Sequence, residues 1–331
     1  MDKTSFIEDI GEGSEFTGYY ALRRCEVRET GNTVRLELEL VDKTGKLPAV
    51  VWENAREIAA GLGAGSVAKV MGRLGTYRDK PQVTVQKIRA AEESEYDVTW
   101  LLPTAPKDLD ELWRKAEGFK ESITDPYLRK LIDTIFSNEQ FVREYRRTPG
   151  GTRWHHVYLG GLLDHSMGVT EICDFVAGKH PELNRDLLIV AALLHDVGKI
   201  REFTVDTVFE YSDEGRLEGH IVMGDRFVRY YCDRIEGFPQ RYKMLLSHLM
   251  LAHQGHKEFS SPVEPSIPEA FVLYFADEID SKMNALNRIR EKTADDGGGW
   301  SDYVRILGRA VYFDTGHENE CGSLMRADDY A

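Results

Sequence analysis

A strict alternation of apolar and charged residues restricts the fold of this chain more than any other feature. Between Val34 and Leu40 an apolar residue stands at every second position, and the positions between them are charged. A period of two places the apolar side chains on one face of a β-strand and the charged side chains on the other. This segment therefore predicts a strand with one buried and one solvated face.

The sequence around this strand predicts a small barrel. Turn residues at 42–45 and the Gly-rich stretch 61–65 divide the first 91 residues into apolar-rich pieces, and a short helical piece lies at 54–60. We predict strands at 16–27, 34–40, 47–52, 66–77 and 82–88, with Arg78, Asp79 and Lys80 as the last turn. Five strands with a helix between the third and fourth follow the order of an OB-fold barrel.

Beyond an acidic, Pro-containing stretch at 92–106, the pattern becomes helical. Asp108 and Pro126 stand where helices begin, and these helices are predicted to reach about residues 121 and 137. A long helical region is predicted from about 154 to 312. Within it, Ser266 and Glu269 have the spacing of a capping box around Pro268.

These patterns predict a multidomain fold class, in which a small N-terminal β-barrel (OB-fold) precedes an all-α helical body. The predicted domains are a nucleic-acid-binding barrel at 1–92, a linker and helical connector at 93–150, and the helical body at 151–331.

Charge and composition limit the partners and the compartment. The net charge is −14, yet residues 16–90 hold 13 Lys and Arg against 8 Asp and Glu. A basic barrel on an acidic body suits a polyanionic partner, and random drift of surface charge is the alternative.

The apolar runs are too short to cross a membrane, the N-terminus lacks a secretory pattern, and the four cysteines form no CxxC. We therefore expect a cytoplasmic protein without a membrane partner.

Histidines and aspartates among apolar residues indicate a metal centre. His195 and Asp196 follow directly on the apolar run 187–194. Residues of the same kinds lie among apolar residues in other helical segments: His165, His220, His253 and Asp277. Polar groups that face inward are costly to bury unpaired, and convergence on a divalent metal ion is the usual way to satisfy several of them. For any single histidine, a hydrogen bond to the backbone is the alternative.

Several longer motifs resemble a known family. The sequences LLDH at 162–165, LLHDVGK at 193–199, GHI at 219–221, HQG at 253–255 and AD at 276–277 together resemble the HD-domain metal-dependent phosphohydrolases. The sequences HHVYLGGLLDH at 155–165, DEGRLEGH at 213–220, SPVEP at 261–265 and PEA at 268–270 resemble more closely the YhaM-type 3′→5′ exoribonucleases, which join an OB-fold to an HD domain. The resemblance extends from about residue 16 to 312.

The resemblance implies a pair of divalent metal ions. By analogy, the first ion is bound by His165, His195, Asp196 and Asp277, and Asp196 bridges to a second ion that His220 and His253 hold. Mn²⁺ is the expected metal, with Fe²⁺, Co²⁺ and Zn²⁺ as alternatives that suit the same ligands. Gln254 departs from the family pattern, which tends to have a second histidine there. We therefore expect the second ion to be held more weakly, unless His256 compensates.

Further residues are predicted to act on the substrate. Asp196 and Lys199 are the catalytic candidates, because Lys199 lies three residues after Asp196, on the same helical face, and can place its ammonium against a phosphate. A surface lysine that extends into solvent is the alternative. Arg153 and His156 precede the first ligand helix and are candidates for contact with a terminal phosphate.

The barrel contains a mixture of aromatic and cationic residues. Such a mixture stacks single-stranded bases and follows their phosphates. The predicted substrate contacts in the barrel are Tyr19, Trp52, Tyr77, Arg78 and Lys80. A place in the barrel core is the alternative for each aromatic residue.

The leading hypothesis is a metal-dependent 3′→5′ exoribonuclease that hydrolyses single-stranded RNA, or single-stranded DNA, to 5′-mononucleotides. One alternative is an HD phosphohydrolase of a small nucleotide, such as a cyclic dinucleotide or a nucleoside triphosphate. Another is a nucleic-acid-binding protein with an inactive HD site. The basic barrel speaks against the first alternative, and the complete set of candidate ligands speaks against the second.

Overall fold

The structure is a computed structural model that describes residues 5–31, 33–152, 154–295 and 298–314. The chain divides into two compact units, Met1–Asp280 and Ser281–Ala331. The first unit contains the barrel and the helices that carry the candidate metal ligands. The predicted fold class, a small N-terminal barrel followed by a helical body, is confirmed.

The N-terminal strands close into a five-stranded barrel in the order β1-β2-β3-β5-β4. Their bounds are β1 Glu15–Thr30, β2 Thr33–Asp42, β3 Gly45–Val51, β4 Val67–Tyr77 and β5 Lys80–Ala90. Neighbouring strands are antiparallel except β3 and β5, whose parallel pairing of Ala49 with Val83 closes the barrel. The single barrel helix, α1 Ala55–Ala60, lies between β3 and β4, as predicted.

The alternation in β2 has the predicted effect. Leu36, Leu38 and Leu40 are buried in the barrel core, and the charged residues between them face outward. The last turn is tighter than predicted, because Arg78 and Asp79 alone adopt positive φ and Lys80 already belongs to β5. Two such residues form the kind of turn that suits the twist of a β-hairpin.

Eleven α-helices are present in the described residues. Beyond α1 they are α2 Leu109–Ser122, α3 Pro126–Phe136, α4 Glu139–Arg147, α5 Gly161–Lys179, α6 Arg185–Leu194, α7 Lys199–Glu202, α8 Asp213–Glu218, α9 His220–Cys232, α10 Gln240–Ala252 and α11 Pro268–Asp295. The predicted starts at Asp108 and Pro126 are confirmed, and α11 begins at Pro268. The predicted capping box is not formed, because Ser266 Oγ donates to the carbonyl of Glu264 and Glu269 Oε1 accepts from the backbone N–H of Asn184. Asp108 and Asp125 each accept hydrogen bonds from the first backbone N–H groups of their helices.

The helical body is built around an apolar core. Helix α6 is buried from Leu187 to Leu194 and packs most extensively against α5, so its C-terminal end is held at the centre of the body. This burial fixes the position at which the chain presents His195 and Asp196. No helix in the described ranges has both the length and the apolar character needed to cross a membrane.

Two parts of the predicted helical region are not helical. A short hairpin, β6 Phe203–Val205 and β7 Phe209–Tyr211, interrupts it, and α11 ends at Asp295 rather than near residue 312. The predicted long helical region therefore contains a hairpin and ends earlier than predicted. In the second unit, β8 Gly299–Trp300 pairs with β9 Tyr312–Phe313.

Candidate metal centre

Five different helices bring the candidate ligands together. His165 lies in the second turn of α5, while His195 and Asp196 follow the last residue of α6. The other three lie at the first residue of α9, just after α10, and in the third turn of α11: His220, His253 and Asp277. All six predicted ligands lie in two clusters that satisfy the geometry of a metal site.

The first cluster, His165, His195 and Asp277, has its donor atoms within 4.8 Å of one another. His165 Nε2 lies 3.2 Å from His195 Nε2 and 3.1 Å from Asp277 Oδ1. Both imidazoles are fully buried. Two ring nitrogens and a carboxylate oxygen facing one common point form a donor set that suits a divalent transition metal.

The second cluster, Asp196, His220 and His253, also has its donor atoms within 4.8 Å of one another. Asp196 Oδ1 lies 3.4 Å from His220 Nε2 and 3.5 Å from His253 Nε2. These three atoms are buried and lack a hydrogen-bond partner among the described residues. Buried polar atoms are normally paired, so three unpaired donors around one point fit a bound cation.

Asp196 lies between the two clusters. Its Oδ1 faces His220 and His253, and its Oδ2 lies 3.4 Å from both His165 Nε2 and His195 Nε2. One carboxylate therefore presents one oxygen to each cluster. This arrangement fits the predicted bridging role for Asp196.

Two carboxylates orient the outer edges of the imidazoles. His165 Nδ1 donates to Asp280 Oδ2 at 2.6 Å, and His220 Nδ1 donates to Glu202 Oε1 at 3.0 Å. The same Glu202 oxygen accepts a hydrogen bond from the backbone N–H of His220. A hydrogen bond at Nδ1 directs Nε2 toward the ligand point and makes the ring a stronger donor to a metal.

Backbone carbonyls orient the other two imidazoles. His195 Nδ1 donates to the carbonyl of Ala192 at 2.9 Å, and His253 Nδ1 donates to the carbonyl of Met250 at 2.7 Å. Each carbonyl belongs to the last turn of the helix that the histidine follows. The carbonyl groups at the ends of these two helices therefore favour the tautomer that is protonated at Nδ1 and has a free lone pair on Nε2.

The electrostatics of the centre favour positive charge. Burial alone would raise the pKa of Asp196, but the Lys199 ammonium and the neighbouring histidines hold this pKa well below its usual value. Burial is likewise outweighed at Asp277, whose pKa is lowered by its hydrogen bond with His165. For His165, burial lowers the pKa, but hydrogen bonds with three aspartates raise it well above the usual value. Ionised carboxylates thus surround a point that attracts a cation.

Lys199 is buried and lies inside the centre. Its Nζ donates to Asp196 Oδ2 at 2.5 Å and to the carbonyl of Gly150 at 2.6 Å. The alternative of a surface lysine extending into solvent is therefore wrong, since only 5% of the residue is exposed. A buried ammonium next to the bridging carboxylate is placed to stabilise negative charge on a phosphate.

Of the two predicted contacts for a terminal phosphate, the structure describes one. Arg153 lies outside the described residues. His156 is buried with positive φ, and its donor atoms lie within 4.8 Å of those of His155 and His165. A Cβ on Gly150 would lie 2.5 Å from His156 Cβ, so this glycine permits the close approach. Burial lowers the pKa of His156 to about 3, and the nearby His165 adds to this effect.

The five predicted barrel contacts do not form one site. Tyr19 is buried against Trp100, with ring centroids 6.2 Å apart. Trp52 is half exposed at the end of β3. The others lie at the tip of the β4–β5 hairpin, where Arg78 stacks over the half-exposed Tyr77 at 5.3 Å and Lys80 is exposed.

Three residues of the centre escaped the sequence analysis. Asp280 and Glu202 orient ligand histidines. Asp280 follows Asp277 by three positions, and Glu202 follows Lys199 by three positions. This helical spacing places each of the two on the same helix face as the predicted site residue before it. That spacing is the signal that could have found them. His155 has both ring nitrogens buried without a hydrogen-bond partner in the described chain, and it precedes α5 in an irregular segment without periodicity.

His256 lies outside both clusters. It is exposed, its Nδ1 is 3.9 Å from Glu264 Oε1, and its ring packs against Tyr274. It therefore does not take the place of a second histidine at Gln254.

Comparisons with known proteins agree with this geometry. The family model described as HD domain matches residues 162–282, which include all six candidate ligands. The protein named 3′-5′ exoribonuclease YhaM from Geobacillus sp. (strain WCH70) is 31% identical over 258 residues, which are 78% of this chain and 79% of the relative. The chain belongs to the YhaM exoribonuclease family.

Other YhaM proteins match over almost their whole length. The YhaM from Oceanobacillus iheyensis is 30% identical over 311 residues, 93% of this chain and 96% of the relative. The YhaM from Bacillus subtilis is 28% identical over 322 residues, 96% of this chain and all of the relative. Membership of the YhaM family and the HD-domain match identify the chain as a metal-dependent hydrolytic phosphodiesterase.

Proposed function

We propose that this protein is a 3′→5′ exoribonuclease that hydrolyses single-stranded RNA to 5′-mononucleotides, with single-stranded DNA as the alternative substrate. The observation that carries the proposal is the Asp196 carboxylate, which presents one oxygen to each of two ligand clusters. When bound, two divalent cations supply charge neutralisation for a phosphodiester and acidify the attacking water. We propose Mn²⁺ as the metal, with Fe²⁺, Co²⁺ and Zn²⁺ as alternatives.

The residues of the chain have distinct roles in this proposal. Asp196 holds the two clusters in register, because each of its oxygens faces two imidazoles. Lys199 stabilises the negative charge that develops on the phosphate oxygens, and its ammonium is fixed in advance by Asp196 and by the Gly150 carbonyl. His156, buried near the first cluster, contacts the terminal phosphate.

The proposal divides the work between domains. The barrel at 1–92 holds the nucleic acid, residues 93–150 connect, and the helical body at 151–331 hydrolyses the phosphodiester. Within this barrel, residues 16–90 hold 13 Lys and Arg against 8 Asp and Glu, which supports the first role. The net charge of −14 lies on residues 93–331, which therefore repel a polyanion.

A labelled RNA distinguishes direction and product. Single-stranded RNA with a 5′ label is incubated with the protein and Mn²⁺, with chelator, and with Asp196→Asn. We expect a ladder of shortened products that keep the label, no ladder with chelator or with the variant, and 5′-monophosphates as the released nucleotides. Immediate release of a labelled mononucleotide would indicate the opposite direction. Intact RNA together with rapid hydrolysis of a cyclic dinucleotide would contradict the nuclease proposal.

A further inference from the structure

A basic groove crosses the outer face of the barrel where β1, β4, β5 and the end of β3 meet. Its volume is about 880 Å³. Because Ala68 and Val70 of β4 point into the barrel core, Lys69 and Met71 point outward into the groove. The side chains used in the argument below are Trp52, Lys69, Met71, Lys87 and Arg89.

Strand register brings the cations of the groove together. Lys69 is paired with Arg89, and Met71 is paired with Lys87, across the antiparallel β4 and β5. Directly opposite residues have Cβ atoms about 5 Å apart, and positions two residues along a strand are also neighbours on the same face. Three positive side chains therefore share one short stretch of sheet.

Two of these cations are available to a ligand. In the part of the chain that the structure describes, no carboxylate lies within 4 Å of the ammonium of Lys69 or Lys87. Lys69 Nζ is 5.2 Å from the centre of the Tyr19 ring. Arg89 is bonded to Glu95 and lowers the pKa of that carboxyl group, and Lys69 is close enough to help lower it. Among the described residues that line the groove, Glu53 alone is acidic.

On the opposite face of the barrel, the basic side chains are paired with carboxylates. Five basic residues of β1, β2 and β3 lie within 4 Å of three glutamates on the same strands. These basic residues are Arg23, Arg24, Arg28, Arg35 and Lys46, and the glutamates are Glu26, Glu37 and Glu39. A phosphate on this face would have to displace a carboxylate and would meet its repulsion.

The chemistry of the groove fits a single strand. Trp52 is 50% exposed at its rim, and Met71 and Ile88 give it an apolar floor. Aromatic surface for base stacking beside a row of cations is the combination that holds single-stranded nucleic acid. The hairpin tip at Tyr77 is eight residues along β4 from Lys69, about 26 Å at 3.3 Å per residue, so tip and groove are separate surfaces.

We propose that single-stranded RNA lies in the β4–β5 groove, with its phosphates on Lys69 and Lys87 and a base stacked on Trp52. The β1–β2–β3 face is not the RNA surface. This inference rests on the proposed nuclease function, because it assigns the surface that holds the nuclease substrate outside the metal centre.

The test compares charge-matched variants of the full chain. All carry Asp196→Asn to prevent hydrolysis, and the dissociation constant of a fluorescent single-stranded RNA is measured across a salt series. Lys69→Glu with Lys87→Glu should weaken binding by about tenfold or more at 0.1 M salt, and the salt slope should fall by about 1.4, at about 0.7 per phosphate contact. Lys130→Glu with Lys179→Glu makes the same change in net charge at exposed positions of α3 and α5 and should leave the slope unchanged.

A second pair of controls examines the opposite face and the stacking contact. Arg28→Glu with Lys46→Glu should leave the slope unchanged. Trp52→Ala should weaken binding by about fivefold or more, while Trp52→Phe should retain most of the affinity. Melting curves identify any variant that is not folded, and Lys69→Gln with Lys87→Gln then replaces the charge reversal, with a smaller loss expected.

Each other outcome has a definite meaning. If the Asp196→Asn parent does not bind RNA, the proposed function itself fails. If the parent binds and the groove variants keep its affinity and slope, or if the α3–α5 or opposite-face variants lose as much, the groove assignment is wrong. If a mononucleotide binds the groove as tightly as the oligomer, the groove serves a small ligand and the proposal is overturned.

Discussion

Glu202 and Asp280 each orient a histidine of a different ligand cluster, so the two clusters can be perturbed one at a time. Glu202 lies behind His220. Its Oε1 accepts hydrogen bonds from both the ring Nδ1 and the backbone N–H of His220, each at 3.0 Å, and the residue is 6% exposed. Glu202→Gln keeps the volume of the side chain and removes its charge. Asp280→Asn makes the same change behind His165 in the first cluster.

The expected magnitude follows from the loss of a charged hydrogen-bond partner. A hydrogen bond to an ionised acceptor is about twice as strong as a neutral one. Changing such an outer partner of a ligand histidine costs about 10- to 100-fold in metal affinity, which is about 1.4 to 2.7 kcal/mol. Glu202→Gln should weaken the ion at the second cluster by this factor, and Asp280→Asn should weaken the ion at the first.

A titration with Mn²⁺ separates the two effects. Chelator-treated protein is titrated while free Mn²⁺ is followed by electron paramagnetic resonance, and two binding steps are fitted. Each variant should move a different binding step. The melting temperature of each variant, followed by circular dichroism, should stay within a few degrees of that of the native protein. If both variants move the same step, or if neither moves a step by more than about threefold, the assignment of the two carboxylates to separate clusters is refuted.

Three further changes test other parts of the centre. Asp196→Asn should abolish hydrolysis of RNA and lower the metal content per chain, as measured by elemental analysis, because the carboxylate shared by both clusters loses its charge. Gly168→Ala should weaken the first ion by about tenfold in the same Mn²⁺ titration, since its Cβ would lie 2.0 Å from Asp280 Oδ1 and must displace that carboxylate from His165. Gln254→His should lower the Mn²⁺ concentration needed for half-maximal activity, and a native protein that already retains two tightly bound ions would contradict this prediction.

The sequence predicted those parts of the structure that depend on local rules. The alternation at 34–40 directly indicates a strand with one buried face. Asp108 caps its helix by accepting a hydrogen bond from the backbone N–H of Asp110, only two residues along the chain. The six ligand candidates could be named because each is a polar residue within an apolar pattern. Their division between two ions came from the family resemblance and not from local patterns, since residues at 165 and 277 meet only through the packing of α5 and α11.

The errors arose where distant contacts decide the outcome. The strands of the β6–β7 hairpin are three residues each, too short to show a period, and the side chain of Thr207 at its turn bonds to the carbonyl of Gly65 in the barrel. Tyr19 faces outward from its strand, and its cover by Trp100 comes from the connector. Periodicity identifies the face of a strand but not what covers it.

The position of Lys199 has a consequence for how the protein handles its ions. Its ammonium is bonded to the same Asp196 oxygen that faces His165 and His195. A cation at the first cluster shares this oxygen with a positive charge of the chain, so the ammonium lowers the attraction of Asp196 for that ion. The lysine proposed to stabilise charge on the phosphate therefore also affects how tightly the first ion is held, and a change at Lys199 should alter metal binding and catalysis together.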